Sequence, residues 1–126
     1  WTVAKKSNLD LKKTYQGIAA SSGNSFVHET ESQVILNGSY NINFTMDLVV
    51  KDTSLFDDLS KKLNSNLELS PIISDIFKDG EKKYGKRAWS SMIVKRMEDK
   101  NNIEFRAKGF PAELTDNEPE EKGFEI

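Results

Sequence analysis

The sequence predicts an α+β domain: an N-terminal helix, two β-hairpins forming a mostly antiparallel four-stranded sheet, and two helices between the hairpins. Three observations carry that expectation. Tyr40, Ile42, Phe44, Met46, Leu48 and Val50 alternate with Asn41, Asn43, Thr45, Asp47, Val49 and Lys51, which is the period of a half-buried strand. Asn37-Gly38, a strong hairpin signal, separates that run from an extended stretch at 26–36. Helical spacing then takes over at 53–66 and again from Ser70.

Taken in order, the first element is a helix over 8–21. Ser7 caps it, Asp10 follows three residues on, Leu11, Tyr15, Ile18 and Ala19 share a face, and Ser21-Ser22-Gly23-Asn24 ends it. The first hairpin spans 26–51. A two-residue loop would set Gln33, Glu31 and Glu29 beside Ile42, Phe44 and Met46, placing charges on the core face. A three-residue turn with Gly38 in the left-handed region instead sets Val34, Leu36 and Phe26 on the apolar side, and is the register expected. Phe44 is then core, and Phe44→Ala should cost about 3–5 kcal/mol.

The helix over 53–66 starts at Thr53 or Ser54. Asp57 and Asp58 lie near its positive end, and Leu55, Phe56, Leu59 and Leu63 form its stripe. Ser70-Pro71 opens a short third helix with Ile72, Ile73, Ile76 and Phe77 on one face and Gly80 at its end. The second hairpin pairs 89–97, apolar on both sides, with 103–108 across the turn Asp99-Lys100-Asn101-Asn102. Residues 1–111 form the single domain, and the acidic segment 112–126 is a mobile tail.

Composition excludes several classes of function. The chain has 126 residues, 18 basic and 20 acidic side chains, and a formal charge of −2, which argues against non-specific nucleic-acid binding. The absence of cysteine excludes disulfides, thiolate zinc sites and a cysteine nucleophile; a single histidine excludes a two-histidine metal motif. No run reaches the roughly 20 apolar residues of a membrane span, so a membrane link would need a removed N-terminal anchor. The start at Trp1 and a Ser/Asn-rich, Cys-free composition suit either an exported protein that has lost a leader or a cut within a longer chain.

The candidate chemical groups are few. His28 is the only imidazole and reads as a structural histidine at the sheet margin. Ser90-Ser91 with Lys83 or Lys95 lacks any nucleophile-elbow or Ser-x-x-Lys context. Gly80, Gly85 and Lys86 have phosphate-loop spacing, but Arg87 stands where Ser or Thr is needed, and a helix precedes the segment where a strand should. Lys78, Lys82, Lys83, Lys86 and Arg87 with Tyr84 read as a solvated connector. Asn37-Gly38-Ser39 and Asn43-Phe44-Thr45 match the glycosylation pattern by composition.

No catalytic residue, metal site or cofactor site is therefore expected, and the chain reads as no enzyme. The expected function is a non-enzymatic extracytoplasmic interaction module, belonging to a bacterial surface or secretion assembly or acting as an immunity-type binder. Its protein partner would meet the uncharged face Asn41, Asn43, Thr45 with Asp47. The alternative is a carrier of an apolar ligand such as a lipid, with a cavity under the 72–77 helix. The arrangement is analogous at fold level to pilin-like subunits and small lipoproteins, with no motif residue to carry over.

Overall fold

The computed structural model describes residues 1–115 and Gly123. Those residues form helices, with no sheet among them: α1 (Thr2–Lys6), α2 (Leu11–Ala19), α3 (Phe26–Asn37), α4 (Met46–Lys62), α5 (Ser70–Tyr84), a 3-10 turn (Ser90–Val94) and α6 (Lys95–Asn101). The α+β expectation with two hairpins is corrected accordingly. The sole β pairing among the described residues is an isolated antiparallel bridge between Thr45 and Trp89. Most of the expected tail, 116–122 and 124–126, lies outside the described residues.

The first expected strand is α3. Ser25 caps it through a hydrogen bond from the His28 amide at 3.0 Å, and Glu29 lies in the first turn where the helix pole is positive. Its buried side carries Ser32, Val34, Ile35 and Leu36, whereas Phe26 is 78% exposed. Gly38 does take the left-handed conformation expected of it, with φ 95°, but as the helix C-cap. The amides of Gly38 and Tyr40 both donate to the Val34 carbonyl, so the chain turns off a helix rather than between strands.

The alternating run 40–50 divides at Thr45. Its first half cannot be extended, because Tyr40 and Asn43 both have φ 56°. Its second half enters α4, where Met46, Val49, Val50 and Thr53 stand at helical spacing, a pattern the period-two reading overlapped. Three bonds to the 86–90 segment pin this start: Met46 and Asp47 amides donate to the Ala88 and Lys86 carbonyls, and the Ser90 amide to the Phe44 carbonyl. Since α4 begins at Met46 and not near 53, Asp57 sits deep in the helix, buried against α5. There it accepts a 2.5 Å bond from the Ser70 hydroxyl, which holds its carboxyl below the usual range. Leu55, Leu59 and Leu63 remain exposed on the opposite side.

Further corrections follow from caps and packing. Asp10, not Ser7, caps the second helix by accepting from the Lys13 amide. Helix α5 starts at Ser70 as expected but runs through Gly80, where an added Cβ would lie 2.6 Å from Ile93 Cδ1 and force that side chain to shift. The segment 89–97 is a 3-10 turn passing into α6; apolarity on both sides suits a buried helical turn as well as a strand. Residues 103–107 do alternate, with Phe105 1% exposed, but their amides find other acceptors. Phe105 donates to the Glu98 carboxylate at 2.7 Å and Ala107 to the Leu36 carbonyl at 3.0 Å.

The core joins Ala4, Leu11, Ile35, Leu36, Tyr40 and Phe105, with Trp1, Tyr15, Trp89 and Phe110 packed against it. Asn37 and Ser39 side chains donate to the Phe110 and Ala112 carbonyls, fastening 103–112 over the end of α3.

Candidate functional site

Two concave regions flank the core. The first, about 560 Å3, is polar and lined by Lys5, Lys95, Glu98, Asp99, Asn102, Ile103, Glu104 and Arg106. Its floor is a closed network. Glu98, 3% exposed, accepts from Tyr40 Oη at 2.5 Å, Arg106 at 2.9 Å and the Phe105 amide, while Arg106 also donates to Tyr40 Oη at 2.9 Å. Burial, then the bond to Glu98, pushes the Tyr40 phenol up to about 12. Asp99 is held by Lys83 and Tyr84, and Lys95 lies over the Tyr40 ring. These groups satisfy one another, the arrangement of a structural network.

The second region, about 530 Å3, is mostly apolar and lies between α3, the start of α4, α5 and the 3-10 turn. Val27, Phe44, Val49, Phe77, Ile93 and Val94 line it, with Trp1, His28, Glu31 and Ser90 at the same surface. His28 is fully engaged. The Tyr15 carbonyl can only accept, so Nε2 carries the proton at 3.0 Å, and Nδ1 accepts from the Ser32 hydroxyl at 3.2 Å. Its ring also stacks against Tyr15 and Trp1. Glu31 is the opposite case. It is half-buried, burial alone raises its carboxyl, and it has no hydrogen-bond or ion-pair partner among the described residues. A carboxylate facing an apolar cleft without a partner is a site feature.

The residues expected to meet a partner, Asn41, Asn43, Thr45 and Asp47, lie in the turn before α4 and at its start. Asn41 is half-buried and its backbone N–H donates to Ser39 Oγ, Asn43 is exposed in the turn, and Thr45 is buried at the start of α4. Thr45 donates to Asp47, which also accepts from the Leu48 amide and Arg87; the Thr45 bond lowers the Asp47 carboxyl most. The phosphate-like Gly80–Gly85 segment closes the C-terminal end of α5, so it presents carbonyls, not amides. Ser91 donates to the Tyr40 carbonyl and is not a free nucleophile. Glu31 was not singled out by sequence reasoning. Read as a helix, α3 would have shown it on one face with His28, Ser32 and Ile35.

Comparison with known proteins places these features in context. Residues 1–97 match the family described as NAD-binding of NADP-dependent 3-hydroxyisobutyrate dehydrogenase. The chain is similar to L-threonate dehydrogenase of Haemophilus influenzae, at 28% identity over 92 residues covering 72% of this chain and 31% of that protein. It is also similar to the L-threonate dehydrogenase of Escherichia coli K12, at 27% identity over 72% of this chain and 30% of the relative. The chain thus spans less than a third of the length of these relatives. These findings overturn the non-enzymatic interaction module, its protein partner and the apolar-ligand carrier alike.

Proposed function

The chain belongs to the family described as NAD-binding of NADP-dependent 3-hydroxyisobutyrate dehydrogenase, and from that membership we propose that it is the helical part of a nicotinamide-dependent dehydrogenase acting on a small hydroxy acid. The match over residues 1–97 carries this reading, and the names of the relatives, which act on L-threonate, support the substrate class. When bound, a nicotinamide cofactor accepts a hydride from the carbon bearing the substrate hydroxyl.

The described residues fit one end of a dinucleotide and not the other. A diphosphate needs free amides at a glycine-rich strand-to-helix turn. Here α2 and α3 are capped by Asp10 and Ser25, and the first amides of α4 are taken by Lys86 and Ala88. The apolar cleft, by contrast, has the size and lining of a small-ligand site. In this reading the chain supplies one wall of the reaction site, and the phosphate cradle comes from another part of the holoenzyme.

A chimera tests it. The stretch of the Escherichia coli relative that matches this chain is replaced by the corresponding residues of this chain, and reduction of NAD or NADP is followed at 340 nm with L-threonate, 3-hydroxyisobutyrate and other short hydroxy acids. Cofactor-dependent oxidation of at least one of these acids by the chimera is expected, with none by the 126-residue chain alone. A folded chimera that oxidises none of them with either cofactor overturns the proposal.

A further inference from the structure

We propose that Asn37-Gly38 is a deamidation site whose rate is set by the 103–112 segment, and that conversion of Asn37 releases that segment irreversibly. The proposal is independent of the dehydrogenase reading. Its starting point is the sequence. This is the single Asn-Gly pair of the chain, and glycine, without a Cβ, leaves its own amide nitrogen unhindered towards the asparagine side chain. The Gly38 nitrogen gives up its proton to solvent and bonds to Asn37 Cγ. The Cγ–Nδ2 bond breaks, and the leaving nitrogen takes up a proton from water and departs as ammonia. Water then opens the succinimide ring at either carbonyl, giving aspartate or isoaspartate, with no oxidant or reductant involved.

The fold holds both reacting groups back. Asn37 is the last residue of α3, and closing the ring needs its backbone to leave the helical conformation. The Gly38 amide donates to the Val34 carbonyl at 3.0 Å, and Asn37 Nδ2 donates to the Phe110 carbonyl at 2.9 Å. The segment that supplies Phe110 is tied down at three further points. The Ala107 amide donates to the Leu36 carbonyl at 3.0 Å, Arg106 to the Ile35 carbonyl at 3.4 Å, and the Ser39 hydroxyl to the Ala112 carbonyl at 2.6 Å. Asn37 is nonetheless exposed, so water reaches it as soon as these ties open. The product cannot restore them. A carboxylate has no donor for the Phe110 carbonyl and would lie at the negative pole of α3, while isoaspartate lengthens the main chain by a methylene at the turn.

The purified chain is held at mildly alkaline pH, folded and in urea, and the tryptic peptide bearing Asn37 is followed by mass spectrometry that separates asparagine, aspartate and isoaspartate. The folded chain should convert at least about tenfold more slowly than the unfolded one, at a rate unchanged by urea well below the transition, because a local opening exposes little surface. Phe110→Ala removes the ring contact with Tyr15 and leaves the reacting pair untouched. It should speed conversion of the folded chain about three- to tenfold, a loosening on the scale of one hydrogen bond, with the unfolded rate unchanged. Should it fail to fold, Ser39→Ala, which removes the Ala112 tie, replaces it, with its folded rate taken relative to its own unfolded rate. Asn37→Asp, the aspartate product, should be cut by trypsin after Arg106 and Lys108 about three- to tenfold faster than wild type, with cleavage elsewhere unchanged. Equal rates in the folded and unfolded chain overturn the proposal. So do a folded rate that climbs from the first addition of urea, no acceleration in the loosened variant, or Asn37→Asp cut after Arg106 and Lys108 no faster than wild type.

Discussion

Removing the Tyr40 hydroxyl probes the buried network directly. In Tyr40→Phe the Glu98 carboxylate loses one donor but keeps Arg106 and the Phe105 amide, so no charge is orphaned. Arg106 loses an acceptor, yet its side chain is 32% exposed and can meet water. The cost is therefore that of one hydrogen bond to an ionised group, about 1.5–2 kcal/mol. With a urea slope of about 1.5 kcal/mol per M, the midpoint should fall by about 1 M at unchanged slope. Helical circular dichroism at 222 nm follows the transition. Alkaline pH supplies a second reading with its own sign. The phenol is raised from 10.0 to about 12, so its contribution is complete below pH 10 and is lost as pH rises through 12. Wild type should accordingly lose stability over that window faster than Tyr40→Phe, with phenolate absorbance at 295 nm marking the titration. A midpoint unchanged within about 0.2 M, or parallel alkaline limbs, would refute a stabilising role for the network.

Phe105→Ala, at a position 1% exposed, should cost about 3–5 kcal/mol, whereas Phe44→Ala, at 38% exposure on the cleft rim, should cost less than about 1.5 kcal/mol, as urea melts of both would show. Gly38→Ala should destabilise by at least about 1–2 kcal/mol in the same assay, because φ 95° is left-handed and a Cβ would lie 2.5 Å from Arg106 Nε. Ser70→Ala should raise the Asp57 carboxyl towards its ordinary value. Since a depressed carboxyl stabilises above the unfolded pKa and loses that contribution as pH falls through the folded one, wild type should gain over Ser70→Ala at neutral pH and converge with it in acid.

What the sequence disclosed and what it concealed divide along physical lines. Local punctuation was legible. Ser70-Pro71 opens a helix, and Gly38 needs the left-handed region, because both depend on the residue's own backbone preferences. Period was the treacherous signal. Residues 40–50 alternate over a stretch half of which is a turn and half a helix, and Met46, Val49, Val50 and Thr53 satisfy a 3.6 period as well as the alternation satisfies two. The same ambiguity hid α3, where Phe26, expected on the core face, is turned outwards by the helix. The cleft followed from that error: Glu31 looked like a solvated strand residue until α3 placed it beside His28 and Ser32. Membership of a dehydrogenase family was not read from short motifs, because the resemblance is spread over residues 1–97.

The fastening of 103–112 across the end of α3 separates two boundaries that are easily assumed to coincide. Resemblance to the family ends at residue 97, whereas the most deeply buried aromatic among the described residues is Phe105, and the ion pair beneath Tyr40 joins Glu98 to Arg106. A truncation drawn by resemblance would leave Tyr40 without its acceptor and Leu36 without the chain that covers it. What relatives share and what this polypeptide must contain to close its interior are different lengths of chain, and cutting at the former would expose the latter's core.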